Sequence, residues 1–375
     1  MKPLQKHNFG AGPCILPHTV MAQAASAVTD WNGSGLSILE VSHRSEEFGR
    51  VLSQARSLVA ELLGVPQGYQ ILFLQGGAST QFGMLAQNLM APGGRGTGAY
   101  LDSGFFALKA MAEAEHFGQV RVVGSSADRG YRYVPEVSLS LEGADYLHVT
   151  SNNTIEGTQL WEFPVFDGVP LVCDMSSDIF SRRINVADFG LIYAGAQKNL
   201  GPAGMTLVIV RKDLLEGISQ RLPSMSDYRV QANAGSLYNT PPVFSIYVAL
   251  LNMVWMREQG GVEEMARRGT EKSALLYQAL EESTLFFPMA EAGHRSRMNV
   301  TFDAHEKVHV EGLLAHVAQR GIVGIQGYPS LGGFRASLYN ALPRFSVEYL
   351  VTEIQRYEAA VLGRKPAGTL SLAGA

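Results

Sequence analysis

The chain has 375 residues and a mass of 40.6 kDa, which at ~150 residues per domain predicts two or three domains. Apolar residues make up 46% and charged residues 17%, so the composition excludes a disordered chain and provides for a sizeable core. The net charge of −4 argues against a polybasic surface for nucleic acid or for an anionic membrane.

Two cysteines, Cys14 and Cys173, are too few for a disulfide scaffold, and we expect both to be reduced and mostly buried. The first residues lack the apolar stretch of a signal peptide, and the longest aliphatic runs fall far short of the ~18 residues that cross a bilayer. We therefore expect a soluble, cytoplasmic protein that has no membrane partner.

Helix and strand patterns alternate along the first two thirds of the chain. Apolar residues recur three and four positions apart from 51 to 63, which predicts an amphipathic helix that Gly64 ends. A buried strand at 69–74 then leads into a helix from about Ser79. The same reasoning predicts a helix at 105–117 and strands at 99–101, 120–123, 146–149, 171–173, 191–193 and 206–210.

Continuous apolar strands that are mixed with helices are typical of an α/β domain around a largely parallel sheet. The pattern changes at 239–242, and the remainder of the chain is typical of a smaller α+β domain. We therefore predict an N-terminal segment (1–15), a large domain (16–240) and a small C-terminal domain (241–375). The predicted elements of the small domain are helices at 243–259, 262–282, 312–320 and from 347, with strands at 298–302 and 334–338.

The sharpest local feature is a lysine, Lys198, which follows an apolar strand and lies among small residues in GAQKNLGP (195–202). The carboxyl ends of strands are where α/β sheets bind their ligands. Burial at that position would lower the pKa of the amine and make the neutral nucleophile available. The alternative is an ordinary surface lysine in a turn.

An acidic residue, Asp174, ends another apolar strand. An isolated buried carboxylate is costly unless it meets a cation. A lysine and a strand-end acid are what pyridoxal 5′-phosphate (PLP) requires, because the lysine holds the aldehyde and the acid keeps the pyridine nitrogen protonated. The alternative is that Asp174 only forms a turn.

Two further features fit PLP. The segment GGASTQ (76–81) places a glycine turn before a helix, where free N–H groups and the helix dipole bind an anion such as the cofactor's phosphate. It matches neither a P-loop nor GxGxxG, so it does not favour a nucleotide. Phe105 and Phe106 follow a strand and are suited to stack on a pyridine ring, with core packing as the alternative for either one.

With these parts in place, the sequence resembles the phosphoserine aminotransferase family of class V PLP-dependent aminotransferases. The resemblance runs in order through nearly the whole chain, from Phe9 to about Arg356. It is carried by NFGAGP (8–13), EVSHR (40–44), GGASTQ (76–81), NTIEG (153–157), GAQKNLGP (195–202), NTPP (239–242), RSRMNV (295–300) and GFRAS (333–337).

The resemblance implies a PLP fold-type I homodimer with shared active sites, in which a large domain with a mostly parallel seven-stranded sheet joins a smaller α+β C-terminal domain. Lys198 would hold PLP and move a proton on the substrate, and Asp174 would pair with the pyridine nitrogen. Arg335 would bind the substrate α-carboxylate, and His43 and Arg44 its distal anion. The remaining cofactor contacts would come from Ala78, Ser79, Phe106, Thr154 and Gln197, and, across the subunit boundary, from Asn239 and Thr240.

The activity that the resemblance implies is transamination from glutamate to 3-phosphohydroxypyruvate, which gives 3-phosphoserine for serine biosynthesis. Members of the family also act on 4-phosphohydroxythreonine in vitamin B6 synthesis. The small-molecule partners would be glutamate, 2-oxoglutarate and a phosphorylated oxo acid. No metal is expected.

Two positions depart from the family pattern. Phe106 stands where the stacking residue is usually Trp, so we expect somewhat weaker cofactor binding. Tyr328-Pro329 stands where the family usually has His-Arg, a pair that helps bind the substrate phosphate. Loss of a charge-assisted contact costs ~1.5–3 kcal/mol, or roughly one to two decades in affinity. The alternative function is therefore transamination of another anionic 2-oxo acid.

Other function classes fit the sequence less well. The segment from His305 to His309 matches HExxH, a zinc-protease signature, for which a solvated helix start is the alternative. A desulfurase-like lyase would need a catalytic cysteine on a late loop, and no cysteine follows Cys173. A non-enzymatic relative would have no reason to keep Lys198, Asp174 and Arg335.

Overall fold

The computed structural model of the protein describes residues 6–364. Its strands are β1 (His7–Asn8), β2 (Tyr69–Leu74), β3 (Thr97–Asp102), β4 (Gln119–Ser125), β5 (Tyr146–Thr150), β6 (Asn152–Asn153), β7 (Thr158–Gln159), β8 (Leu171–Asp174), β9 (Leu191–Gly195), β10 (Thr206–Arg211), β11 (Phe286–Pro288), β12 (Asn299–Ala304), β13 (Ile322–Val323) and β14 (Phe334–Ser337). Its α-helices are α1 (His18–Thr29), α2 (Glu46–Leu63), α3 (Gly77–Leu89), α4 (Phe105–Ala114), α5 (Lys212–Gly217), α6 (Tyr228–Asn233), α7 (Val243–Glu258), α8 (Gly261–Glu282), α9 (Lys307–Ala318) and α10 (Arg344–Val361).

The main sheet has seven strands in the order β2-β10-β9-β8-β5-β3-β4. Strand β10 runs antiparallel to β2 and β9, and the pairs β9–β8, β8–β5, β5–β3 and β3–β4 are parallel. The prediction of a mostly parallel seven-stranded sheet in an α/β fold is confirmed.

Helices cover both faces of this sheet, which explains why its strands are apolar throughout. In β9, Ile192 and Ala194 belong to the core beneath α2 and α7, whereas Leu191 and Tyr193 belong to the core beneath α3. Successive side chains point to opposite faces, so both sets of residues are buried. The hydrophobic effect of this burial holds the central strands in place.

The carboxyl ends of the parallel strands meet at one edge of the sheet. Asp102 ends β3, Asp174 ends β8 and Gly195 ends β9. Asp174 lies opposite Thr150 of β5 and Tyr193 of β9. Polar side chains from several strands are therefore brought together where an α/β sheet binds ligands.

A second core surrounds the antiparallel sheet β11-β12-β14. Phe302 and Phe334 stack at its centre with their ring centroids 4.6 Å apart. The N-terminal strand β1 pairs with β13 and places Phe9 in this second core. Helices α9 and α10 and the last turns of α8 complete it.

The two cores meet within α8. Val262 and Met265 lie in the core of the large sheet, whereas Leu276 and Leu280 lie in the second core. The buried apolar residues of helix α7 belong to the core of the large sheet and to a small cluster with α1, and none belongs to the second core. The domain boundary at 240/241 remains a prediction, and it falls just before α7 rather than within α8.

The predicted elements agree with the observed ones to within a few residues at most ends. Strand 69–74 matches β2, and the predicted helix 312–320 begins five residues earlier, at Lys307, in α9. Among residues 6–364, no helix combines the length and the apolar character that crossing a bilayer needs.

Candidate active site

Lys198 lies three residues after β9 with its side chain almost fully buried. Its Nζ donates a hydrogen bond to Thr154 Oγ1 at 2.6 Å and lies 4.6 Å from the ring centre of Phe106. Burial lowers the pKa of this amine to about 8, and the charge of Asp174 opposes that shift. A larger fraction of Lys198 is therefore neutral near pH 8 than for an exposed lysine.

The loop that carries Lys198 is fixed from two sides. The Cys14 thiol donates to the Lys198 carbonyl, and Cys14 N donates to Gln197 O at 3.0 Å. Gly12 packs so closely that a Cβ there would lie 3.4 Å from Lys198 Cγ. From α7, Asn252 Nδ2 donates to the carbonyl of Leu200 at 2.7 Å. The lysine backbone therefore has little freedom.

Asp174 is buried at the end of β8, and its Oδ1 accepts a hydrogen bond from Ser176 N at 2.8 Å. Burial raises the pKa of Asp174, and the charge of Lys198 is the main influence that lowers it again. The two side chains thus lie at the ends of neighbouring parallel strands and interact electrostatically. This is the juxtaposition that PLP requires.

The glycine turn opens α3 as predicted, with Gly76 as the N-cap and Gly77 as the first helical residue. Gly76 and Gly77 have φ values of 92° and 67°, which only glycine adopts readily. Ala78 is half-buried and Ser79 is exposed in the first turn of α3, where N–H groups have no partner within the helix. The half-buried Gln197 lies on the neighbouring loop after β9. The turn and Gln197 lie at the same edge of the sheet, and free N–H groups at a helix start are suited to bind an anion.

Arg335 reaches this edge from the small sheet. It lies on β14 opposite Thr301 of β12, and its Nη1 donates to Thr154 O at 3.4 Å. Burial lowers the pKa of Arg335, and its Nε is buried without a hydrogen-bond partner among the described residues. A guanidinium held this way has donors free for an incoming carboxylate.

Glu156 also lies among the residues of this site, and the sequence analysis did not predict it. Only 5% of its surface is exposed, and its Oε1 accepts from Phe105 N at 2.8 Å. Its position two residues after Thr154 in NTIEG was the available signal, but no pattern there distinguishes an inward-facing acid from a surface one.

Tyr328 lies beside the site, whereas Pro329 is exposed. The Tyr328 ring is 5.3 Å from that of Phe105, and the Arg335 Cζ atom is 6.0 Å from its centre. A neutral phenol therefore occupies the neighbourhood in which the family usually has a charged pair.

Within residues 6–364, no hydrogen bond or ion pair joins Lys198, Asp174 or Arg335 to the predicted site residues His43, Arg44, Asn239 and Thr240. His43 and Arg44 precede α2, where Arg44 is exposed and His43 Nε2 is buried without a partner. Asn239 lines a cavity beside Gly76 and Thr80 of the glycine turn, and Gln75 Nε2 donates to Thr240 O at 2.8 Å. Their roles remain predictions.

The HExxH segment does not form one helical face. Helix α9 begins at Lys307, so His305 lies before it and packs on the ring of Phe287 at 4.8 Å. His309 Nδ1 lies 3.3 Å from the hydroxyl of Tyr357. Within residues 6–364, no cluster of three or more His, Cys, Asp or Glu side chains is arranged to hold a metal ion.

The arrangement fits PLP on its own chemistry. A desolvated lysine with a lowered pKa is suited to an aldehyde, and the buried acid is suited to a pyridinium nitrogen. The glycine turn offers unpaired N–H groups for a phosphate, and Phe106 offers an aromatic face beside the amine.

Comparison with known proteins agrees with this chemistry. The family model for class V aminotransferases matches residues 6–350. The phosphoserine aminotransferase of Flavobacterium psychrophilum is 49% identical over 356 residues, which cover 95% of this chain and 99% of that protein. The phosphoserine aminotransferase of Bacteroides thetaiotaomicron is 48% identical over 357 residues, with 95% and 99% covered.

Solved structures are also similar. The phosphoserine aminotransferase from Bacillus circulans subsp. alkalophilus superposes with a TM-score of 0.92 at 41% identity, and 95% of this chain and 99% of that chain are covered. The PLP-bound phosphoserine aminotransferase from Trichomonas vaginalis has a TM-score of 0.88 at 35% identity, with 93% and 99% covered. The chain therefore belongs to the phosphoserine aminotransferase family of class V PLP-dependent aminotransferases.

Proposed function

We propose that the protein transfers the amino group of glutamate to 3-phosphohydroxypyruvate, giving 3-phosphoserine and 2-oxoglutarate. The observation that carries this proposal is the buried pair Lys198 and Asp174 at the ends of adjacent strands, beside Phe106, Thr154 and Arg335. The names and near-complete coverage of the relatives support the choice of substrates.

In this proposal, PLP would be held at the carboxyl ends of the parallel strands of the main sheet. Lys198 would hold its aldehyde and Asp174 its pyridine nitrogen, and Phe106 and Thr154 would contact its ring. Its phosphate would be bound by Ala78, Ser79 and Gln197, and by Asn239 and Thr240 of the partner subunit. When bound, PLP supplies an electron-accepting ring to the substrate's Cα.

The chain's own side chains bind the substrate and move its proton. Arg335 binds the α-carboxylate through its free guanidinium donors, which fixes the orientation of Cα. The amine of Lys198, which burial favours in the neutral form, takes the proton from Cα of the donor amino acid at Nζ. In the second half-reaction Nζ gives a proton to Cα of the product amino acid. His43 and Arg44 bind the distal carboxylate or phosphate.

The active site is shared within a homodimer in this proposal. Asn239 and Thr240 do not reach Lys198 within the described part of the chain, so they are available to a second copy. Apolar side chains near these predicted site residues in the chain are exposed: Leu39, four residues before His43, at 61%, and Tyr238, directly before Asn239, at 46%. Size-exclusion chromatography with light scattering tests this point, and a monomer that retains full activity would contradict it.

A second candidate, transamination of another anionic 2-oxo acid, rests on Tyr328-Pro329 alone, and the relatives named phosphoserine aminotransferase do not favour it. A phenol replaces an ionic contact near Arg335, which weakens phosphate binding. The proposed function needs His43, Arg44 or another cation to compensate for this loss.

A panel of half-reactions decides between the two candidates. The visible absorbance band of the PLP enzyme is followed after addition of O-phosphoserine, glutamate, aspartate or cysteate. We expect both O-phosphoserine and glutamate to discharge the band. Discharge by glutamate but not by O-phosphoserine would overturn the phosphorylated substrate and favour the second candidate.

We also propose that the protein is located in the cytoplasm.

A further inference from the structure

Glu156 is a buried acid in the site to which the mechanism above assigns no task. Its Oε1 accepts from Phe105 N, the first residue of α4, at 2.8 Å. Its Oε2 is buried and has no hydrogen-bond partner among the described residues. An unpaired carboxylate oxygen in such a place is costly, so its retention calls for a reason beyond packing.

The position of this carboxylate is tightly fixed. A Cβ on Gly104 would lie only 2.6 Å from the carboxylate carbon, so the acid packs directly on the backbone before α4. On the other side, Thr301 Oγ1 donates to Glu156 O at 2.8 Å. Thr301 is the residue opposite Arg335 in the small sheet. Glu156 therefore spans the space between the Phe106 helix and the Arg335 strand.

The cationic side chains that act on Glu156 are Lys198 and Arg335 of the site. Burial raises the pKa of Glu156, whereas the neighbouring charges of Lys198 and Arg335 lower it. The nearby phenol of Tyr131 also interacts with it. Glu156 accepts from Phe105 N, and the Phe105 ring lies 5.3 Å from that of Tyr328, so this acid adjoins the place where the family usually has its phosphate-binding pair.

We propose that Glu156 is a specificity-determining residue whose carboxylate disfavours the more highly charged of the two amino-acid substrates. This inference rests on the proposed function and deepens it. The phosphate of O-phosphoserine carries a charge close to −2 near pH 8, whereas the side chain of glutamate carries −1. Repulsion from Glu156 therefore acts more strongly on O-phosphoserine than on glutamate. It brings the affinities of the two substrates closer together at the site that they share.

Glu156→Gln tests this inference because it removes the charge, preserves the size and retains an oxygen that can accept from Phe105 N. The probes are 3-phosphoglycerate and glutarate, two unreactive anions with different charge, titrated into the PLP enzyme by calorimetry. One charge about 6–9 Å away changes affinity by roughly three- to tenfold at an effective dielectric near 20 and physiological salt. We expect the affinity ratio of 3-phosphoglycerate to glutarate to rise roughly threefold or more.

Two further variants separate charge from structure. Glu156→Asp keeps the charge, so its affinity ratio should stay within about twofold of the wild-type ratio even if both affinities fall. Glu162→Gln removes an exposed carboxylate and should leave the ratio unchanged. In half-reactions, Glu156→Gln should raise kcat/KM for O-phosphoserine over glutamate through KM.

The outcomes distinguish this inference from the proposed function. An unchanged affinity ratio in Glu156→Gln, or the same change in Glu156→Asp, would overturn the role of the charge. Failure of the wild-type enzyme to react with O-phosphoserine would overturn the proposed function, while the ratio of the unreactive anions would still test Glu156.

Discussion

Burial favours the neutral forms of both Lys198 and Asp174. It therefore lowers the pKa of the amine and raises the pKa of the acid. For Lys198 this is useful, because the neutral amine is the form that accepts a proton. For Asp174 it is a cost that the charge of Lys198 and the hydrogen bond from Ser176 offset. A pyridinium cation between the two would supply the missing partner for the acid.

Asp174→Asn should expose the need for that negative charge. The amide oxygen can still accept from Ser176 N, so the fold should be preserved. Losing a charge-assisted bond costs ~1.5–3 kcal/mol, and we expect kcat to fall roughly 10- to 150-fold. Stopped-flow half-reactions with glutamate measure this, with circular dichroism as the control for folding. A variant as fast as the wild type would remove Asp174 from the mechanism.

Phe106→Trp should tighten PLP binding, because a larger ring covers more of the cofactor. Aromatic pairs contribute ~0.5–1.5 kcal/mol beyond area, so the Kd for PLP should fall roughly two- to tenfold. Fluorescence titration of PLP-free protein measures the change. Phe345→Trp is the matched control, since Phe345 lies exposed on α10 far from Lys198 in the chain. Equal or weaker binding by Phe106→Trp would contradict a stacking role.

At the scale of single residues, the sequence predicted the site residues that lie in a local pattern and missed Glu156, which does not. Lys198 and Asp174 end apolar strands among small residues, and Thr154 and Arg335 lie in motifs that the resemblance identified. All four meet at one edge of the sheet. Glu156 has no such pattern, because its importance comes from which way its side chain points after folding.

Elements were predictable where one periodicity dominates. Helix α2 combines regular apolar spacing with an N-cap, Ser45, whose side chain accepts from Phe48 N, and with Gly64 in the left-handed conformation after its last turn. The direction of β10 was not predictable, because an apolar run looks the same whether its neighbours are parallel or antiparallel. Strands of two residues such as β1 and β13 carry too little pattern to be recognised.

Ser45→Ala tests the capping of α2, the helix that follows His43 and Arg44. The variant loses the bond to Phe48 N at 3.2 Å, and we expect the free energy of unfolding to fall by about 1 kcal/mol. Urea unfolding measures this. Ser53→Ala, at an exposed position inside the same helix, should change stability by less than about 0.5 kcal/mol. A loss of the same size in both variants would argue against a capping effect.

At the scale of the whole molecule, a second buried lysine connects distant segments. Lys272 of α8 donates to the carbonyls of Tyr339 and Leu342 at 2.7 and 2.9 Å. The same turn reaches the loop after Lys198, because Asn340 N donates to Asn199 Oδ1 at 3.0 Å. Lys272 thus helps to hold the small sheet against the large one.

Lys272 makes stability depend on pH in a defined direction. Burial lowers its pKa from 10.5 to about 7. Between those pH values the unfolded chain binds the extra proton, so this residue makes stability rise as pH rises from about 7. In Lys272→Met that increment is absent, and the stability of the wild type relative to the variant should grow by roughly 1–3 kcal/mol from pH 7 to 9.

Urea unfolding of the PLP enzyme at the two pH values measures the effect, with Lys212→Met at an exposed position as the control. A difference between wild type and Lys272→Met that does not vary with pH would mean that the amine stays charged in the folded state.

The pairing of β1 with β13 has a consequence for biosynthesis. His7 Nδ1 lies 3.0 Å from Ser346 Oγ, 339 residues away along the chain, and the Cys14 thiol meets the Lys198 carbonyl. At ~5–20 residues per second, a ribosome needs roughly 20–70 seconds to make that span. During synthesis, β1 therefore remains unpaired for that time, because its partner β13 has not yet been made. We expect chaperones that shield early segments to affect the yield of this enzyme more than its final stability.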